Sequence, residues 1–278
     1  MPRAKNGAVE IEYESFGDAA AQAILLINGL GSQMTRWPGE FCRQLAAHGY
    51  RVLRFDNRDT GLSTWFQPGE SYSLSDMAAD AVAVLDAAGI AKAHVAGVSM
   101  GGMITQAVAI EHPDRVLSIT SIMSATGAPG TLDPTPEAGA VLTVAPPDPT
   151  ADFEAFLDFQ VANALVIGSP AYPWPEGALR QRAADEYARA YNPTGSARQM
   201  GAIRADGDRT ERLRKLSVPA VVLHGADDPL VRLVGGEATA AAIAGAELRV
   251  IPGMGHDVPP SLYDTFVSAI LAAVDRAG

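Results

Sequence analysis

Ala93-His94-Val95-Ala96-Gly97-Val98-Ser99-Met100-Gly101-Gly102 is the stretch that decides how the rest of this chain folds. Ala93 to Val98 is a short, continuous apolar run, the pattern of a strand covered on both faces of a sheet. Met100 to Glu111 has helical character and is stopped by His112-Pro113. Ser99 therefore falls in a strand-to-helix turn, flanked two residues away on each side by Gly97 and Gly101. A turn this sharp forces its central residue into strained backbone angles, and only small neighbours let the adjacent backbone pass. A serine there is lifted clear of the sheet, and the N–H of Met100, unpaired at a helix start, is placed to stabilise negative charge beside it. Ser99 is a candidate nucleophile and Met100 a candidate oxyanion donor.

The same alternation of strand and helix extends in both directions. Strands are expected at Val9 to Phe16, Ala23 to Asn28, Arg51 to Asp56, Val116 to Met123, Pro219 to His224 and Glu247 to Ile251. Asn6-Gly7 reads as a tight turn leading into the first of these, whose alternating pattern predicts an antiparallel start to the sheet. Helices are expected at Gly39 to Ala47, Ser75 to Ala88, Gly235 to Ile243 and Pro260 to Ala273, with Ser75 as a cap and Gly89 just past the end. Between Ala125 and Leu213 the rhythm breaks: a proline-rich entry from Pro129 to Pro149 precedes helical segments near Asp152 to Ile167, Glu176 to Tyr191 and Ser196 to Ala205. So long an insertion without structure is improbable in a compact domain. The expected architecture is α/β: a mostly parallel sheet flanked by helices, residues 1–125 and 211–278, carrying an inserted helical cap, residues 126–210.

A serine hydroxyl needs a base, and histidine titrates in the useful range. Of the five histidines, His48 and His112 lie at helix ends, His94 begins a strand at the wrong edge of the sheet, and His224 ends a strand where it can pack. His256 follows the last strand in Pro252-Gly253-Met254-Gly255-His256, a loop of residues that permit unusual backbone angles. The orienting acid is expected after the preceding strand, where His224-Gly225-Ala226-Asp227-Asp228-Pro229 supplies two carboxylates. Either can serve. Asp228 is favoured because the residue before proline is held extended, whereas Asp227 suits a local turn. The second oxyanion donor is assigned to the Leu30 N–H in Asn28-Gly29-Leu30-Gly31, which ends an earlier strand. Asp257, next to His256, reads as a solvated loop residue.

With 278 residues, 47% hydrophobic and 19% charged, the chain suits one large domain with an insertion. A net charge of −11 opposes nucleic acid and anionic membrane, and a neutral or cationic small substrate fits it better. The single Cys42 can form no internal disulfide and has no companions at metal-site spacing, so no metal or cofactor is expected and a reducing, cytoplasmic setting is. Met1 to Glu14 lacks the apolar run of a signal peptide, and glycines and prolines interrupt the weakly charged stretch from Val116 to Pro147. Oligomeric state is not legible.

Three stretches carry a family resemblance: Asp56-Asn57-Arg58-Asp59-Thr60-Gly61-Leu62-Ser63, the Ser99 segment with Ile104-Thr105-Gln106 behind it, and Ile251-Pro252-Gly253-Met254-Gly255-His256. Over nearly its whole length the chain resembles the α/β-hydrolase superfamily, and within it the small actinobacterial esterases typified by aclacinomycin methylesterase. That resemblance implies a Ser99, Asp228 and His256 triad, with Leu30 and Met100 as oxyanion donors and Leu30 standing where the family has glycine. It implies a cofactor-free serine hydrolase cleaving carboxylic esters of small or medium apolar substrates through an acyl-enzyme. Carbon–carbon hydrolysis or perhydrolysis by the same groups is the first alternative, and a non-catalytic small-molecule receptor the second. The Asp56 to Ser63 segment reads as structural, tying loops beneath the site. Aromatic residues in the cap, Phe153, Phe156, Phe159, Tyr172, Trp174, Tyr187 and Tyr191, either line a pocket or form the cap's own core.

Overall fold

The structure is a computed structural model that describes residues 2–278. Eight strands, β1 (Arg3–Asn6), β2 (Val9–Phe16), β3 (Ala23–Ile27), β4 (Arg51–Phe55), β5 (Ala93–Val98), β6 (Val116–Ile122), β7 (Ala220–Gly225) and β8 (Glu247–Ile251), form one sheet in the order β1-β2-β4-β3-β5-β6-β7-β8. β1 and β2 run antiparallel, and every pairing from β4 through β8 is parallel. β1, a strand not named from the sequence, exists because the turn falls one residue later than expected: Asn6 pairs with Val9 around Gly7-Ala8. Gly7 has φ 60°, the left-handed first position that a two-residue hairpin loop of this kind requires. Asn6 is held in the strand by its side-chain amide, which donates to Asp80 Oδ1 at 2.9 Å.

Helices cover both faces. α1 (Gly39–Ala46) and α10 (Tyr263–Asp275) pack on one, burying Phe41, Leu45, Phe266 and Ile270. α2 (Leu74–Ala87), α3 (Met100–Glu111) and α9 (Leu233–Ala242) pack on the other, burying Met77, Ala81, Met103 and Ala242. All five residues of β3 are buried, as the two-sided cover demands. α2 begins one residue earlier than expected: Ser73, not Ser75, is its cap, accepting from the Asp76 N–H at 3.1 Å while Asp76 Oδ2 accepts from the Ser73 N–H at 2.8 Å. Ser75 points away and donates to Glu111 on α3 at 2.8 Å.

Between β6 and β7 lie α4 (Pro136–Val141), α5 (Phe153–Ile167), α6 (Ala178–Arg189) and α7 (Gly195–Asp206), with a single turn α8 (Thr210–Leu213) leading back into the sheet. α4 sits within the proline-rich entry that reads as irregular. Its proline occupies the first helical position, where no N–H is needed, and Thr135 caps it. Phe153, Phe156, Tyr187 and Tyr191 stack together between α5 and α6, so they form the cap's own core. Among the described residues no helix is long and apolar enough to cross a membrane.

Candidate active site

Because β3 and β5 to β8 are parallel, their carboxyl ends share one edge of the sheet, and the loops leaving it carry every candidate residue. Ser99 has φ 56° and ψ −122°, a conformation rarely adopted by a residue with a side chain. It is held there because its N–H donates to Ile122 O at 2.9 Å while its carbonyl accepts from Gly102 and Met103 to start α3. A Cβ on Gly97 would collide with the carbonyl of Gly101, and one on Gly101 with the carbonyl of Ile27. The small residues are thus required by close backbone approach. Met100 is fully buried at the first position of α3, where its N–H lies beyond the reach of intrahelical acceptors.

The loop after β3 runs directly beside the serine, since a Cβ on Gly29 would stand 3.2 Å from Ser99 Cβ. The Gly31 N–H donates to Gln199 Oε1 on α7 at 2.7 Å, which fixes the loop one residue beyond Leu30.

His256 Nδ1 lies 2.7 Å from Asp228 Oδ2. A carboxylate only accepts, so Nδ1 carries the proton and Nε2 of the neutral ring is the basic nitrogen. The other carboxylate oxygen, Asp228 Oδ1, accepts from the N–H groups of Leu230 and Val231 at 2.9 Å each. Both residues are nearly sequestered, His256 at 8% and Asp228 at 4% exposure. The His256 N–H also donates 2.7 Å to the carbonyl of Ile167, the last residue of α5, so the cap holds the histidine loop. Asp227 is exposed and turns back to accept from the Gly253 N–H at 2.7 Å, so of the two carboxylates it is Asp228 that is hydrogen-bonded to His256. His224 packs as expected, fully buried with Nε2 donating to Val231 O at 2.7 Å, and it also stands 3.7 Å from Asp228 Oδ2. Burial pushes its pKa down, keeping it neutral.

Ser99, His256 and Leu30 line one cavity of about 810 Å³ between the sheet edge and the cap, together with Met123, Trp174 and Arg182. Asp257 departs from the solvated role expected of it. It lines the cavity, accepting from Ser169 Oγ at 2.5 Å and from Trp174 Nε1 at 2.7 Å, and burial raises its pKa. The Asp56 to Ser63 segment is structural, yet it joins core to cap: Asp56 pairs with Arg189 of α6 and Asp59 with Arg198 of α7, each at 2.7 Å. Arg36 pairs with Glu186 of α6 through two hydrogen bonds, 2.5 and 2.8 Å. The sequence reading passed over Arg182, Glu186 and Arg189, whose spacing of four and three residues places them on one face of α6. That spacing was the available signal. Among the described residues no cluster of His, Cys, Asp or Glu is arranged to hold a metal.

A parallel sheet with a strained serine at a strand-to-helix elbow and an Asp–His pair on adjacent loops defines a class, and the chain belongs to the α/β-hydrolase fold family, whose model matches residues 22–260. Its relatives include the rhodomycin D methylesterase of Streptomyces sp. (strain C5), 28% identical over 288 residues and covering 95% of this chain and 94% of the relative. Among solved structures it is similar to the enol-lactonase of Burkholderia xenovorans LB400, with a TM-score of 0.76 and 25% identity over 99% of this chain and 100% of the other. The meta-cleavage product hydrolase of Pseudomonas fluorescens IP01 superposes with a TM-score of 0.80 at 20% identity, covering 100% and 98%, and shares the fold.

Proposed function

We propose that this chain is a serine esterase in which Ser99 is the nucleophile, His256 the general base, Asp228 its orienting acid, and the N–H groups of Leu30 and Met100 the oxyanion donors. The observation that carries it is the 2.7 Å Asp228–His256 bond on the same cavity as a serine held at φ 56°. Residues 1–125 and 211–278 form the catalytic core and residues 126–210 the cap that closes the cavity. His256 Nε2 takes the proton as Ser99 Oγ adds to the ester carbonyl, and the two N–H groups hold the negative oxygen of the tetrahedral intermediate. Collapse breaks the carbon–oxygen bond to the alcohol, which leaves with the proton from His256. Water then repeats the sequence, its proton passing to His256 and then to Ser99 as the acid departs. The name of the Streptomyces relative supports a small alcohol such as methanol as leaving group. The substrate is a small or medium carboxylic ester, and neither a cofactor, a nucleic acid nor a membrane takes part.

Turnover of p-nitrophenyl acetate, butyrate and octanoate by wild type and by Ser99→Ala tests this. The expected result is hydrolysis with a preferred chain length and a loss of about a thousandfold or more in the variant. Equal rates in the two proteins would overturn the proposal.

A further inference from the structure

Three guanidinium groups line the cavity, and two are already neutralised: Arg36 by both oxygens of Glu186, Arg189 by Asp56. Arg182 differs. Its guanidinium lies 4.6 Å from the centroid of the Trp174 ring, and among the described residues it has neither an ion pair nor a hydrogen bond. The acidic groups around the cavity are committed elsewhere. Glu186 is spent on Arg36, the two oxygens of Asp257 are filled by Ser169 and Trp174, and Asp185 accepts from Gln181 at 2.8 Å. Burial, and then the nearby Arg36 charge, lower the Arg182 pKa to about 10 against the partial opposition of the Glu186 and Asp257 carboxylates, which leaves it cationic at neutral pH.

A half-buried cation whose neighbouring carboxylates, Glu186 and Asp257, are hydrogen-bonded to other groups and not to it leaves its own N–H groups for a bound anion to engage. Stacking on indole leaves the in-plane N–H fork of a guanidinium open, and that fork matches the two oxygens of a carboxylate. Trp174 is itself bonded to Asp257, the residue after His256, so the cation is positioned relative to the histidine loop. The net charge of −11 says little here, because exposed charges further away than about 10 Å are screened at ordinary salt while this group stands inside the cavity.

We infer that Arg182 is a carboxylate subsite, so that the preferred substrate is an ester whose acyl part carries a second, free carboxylate. The inference rests on the esterase reading for its catalytic consequence and on the cavity alone for the binding site. Mono-p-nitrophenyl glutarate and its neutral methyl ester differ in that one charge. Wild type is expected to favour the charged ester by about ten- to a hundredfold in kcat/KM, chiefly through KM, and Arg182→Gln to bring the ratio near one. Because the comparison is made within each protein, partial misfolding of a variant cancels. Calorimetry with glutarate, the product acid, provides a second readout independent of turnover: wild type binds it and Arg182→Gln binds it at least tenfold more weakly. If neither ester is cleaved but glutarate binding depends on Arg182, the esterase reading fails and the subsite stands. Equal kcat/KM for the two esters, or a preference that survives in Arg182→Gln, or glutarate binding indifferent to that change, would overturn the subsite.

Discussion

At the residue scale the decisive contrast is between two adjacent carboxylates. Asp228 has both oxygens engaged, one by His256 and the other by two backbone N–H groups, whereas Asp227 caps the Gly253 turn in solvent. Asp228→Asn keeps the shape but can present an amide N–H to His256, favouring the tautomer with the proton on the wrong nitrogen. A loss in kcat on the order of 10³- to 10⁴-fold is expected, while Asp227→Asn leaves kcat nearly unaltered. Steady-state kinetics of the two variants checks this. The placement of Ser99, Asp228 and His256 in loops at the carboxyl ends of their strands was legible in the sequence, because proline, glycine and strand ends are local signals. Asp257 was not: what makes it a cavity residue is a contact with Ser169 and Trp174, more than eighty positions away.

At the element scale, boundaries depend on which side chain reaches the helix end. Ser73 and Ser75 flank the start of α2 equally well on paper, but only Ser73 closes a reciprocal pair with Asp76. Ser73→Ala is expected to cost about 1 kcal/mol in thermal or urea denaturation, and Ser75→Ala less than about 0.5 kcal/mol. α4 escaped notice because prolines read as breakers, although one at the first helical position is compatible with a helix. The cap helices are fastened to the core by ion pairs that no local pattern predicts. Asp59 and Arg198 are 139 residues apart, and Asp59 also accepts from the Tyr72 hydroxyl and the Phe66 N–H. Arg198→Ala removes the ion-pair partner of a buried carboxylate that keeps its Tyr72 and Phe66 hydrogen bonds, and should destabilise the fold by about 1–3 kcal/mol. Asp59→Asn in the same background should recover part of that loss, measured as a double-mutant cycle in chemical denaturation.

At the scale of the whole molecule the fold class follows from repetition: strands and helices alternate through the core, and the break at Ala125 marks the insertion. What the chain brings together across that insertion, the cavity and its charges, emerges only in three dimensions. The acid limb of stability is likewise a property of the whole fold. His94 is buried, its Nδ1 2.7 Å from Ser118 Oγ and its Nε2 without a partner, and burial pushes its pKa down to about 4. In the unfolded chain the same ring titrates near 6.5. Between those values the unfolded state binds the extra proton, so stability falls as pH drops from about 6.5 towards 4 and is restored above. The contribution is on the order of 3 kcal/mol, and His94→Gln should flatten that part of a stability-against-pH curve.

The central claim is that Ser99 is an activated nucleophile served by His256. Its most direct test is covalent labelling with a serine-directed phosphonate, followed by peptide mass spectrometry of wild type, Ser99→Ala and His256→Ala. The account predicts one adduct per chain on Ser99 in the wild type, none in Ser99→Ala, and labelling slowed by orders of magnitude in His256→Ala. An unlabelled wild type, an adduct on another residue, or undiminished labelling in His256→Ala would contradict it.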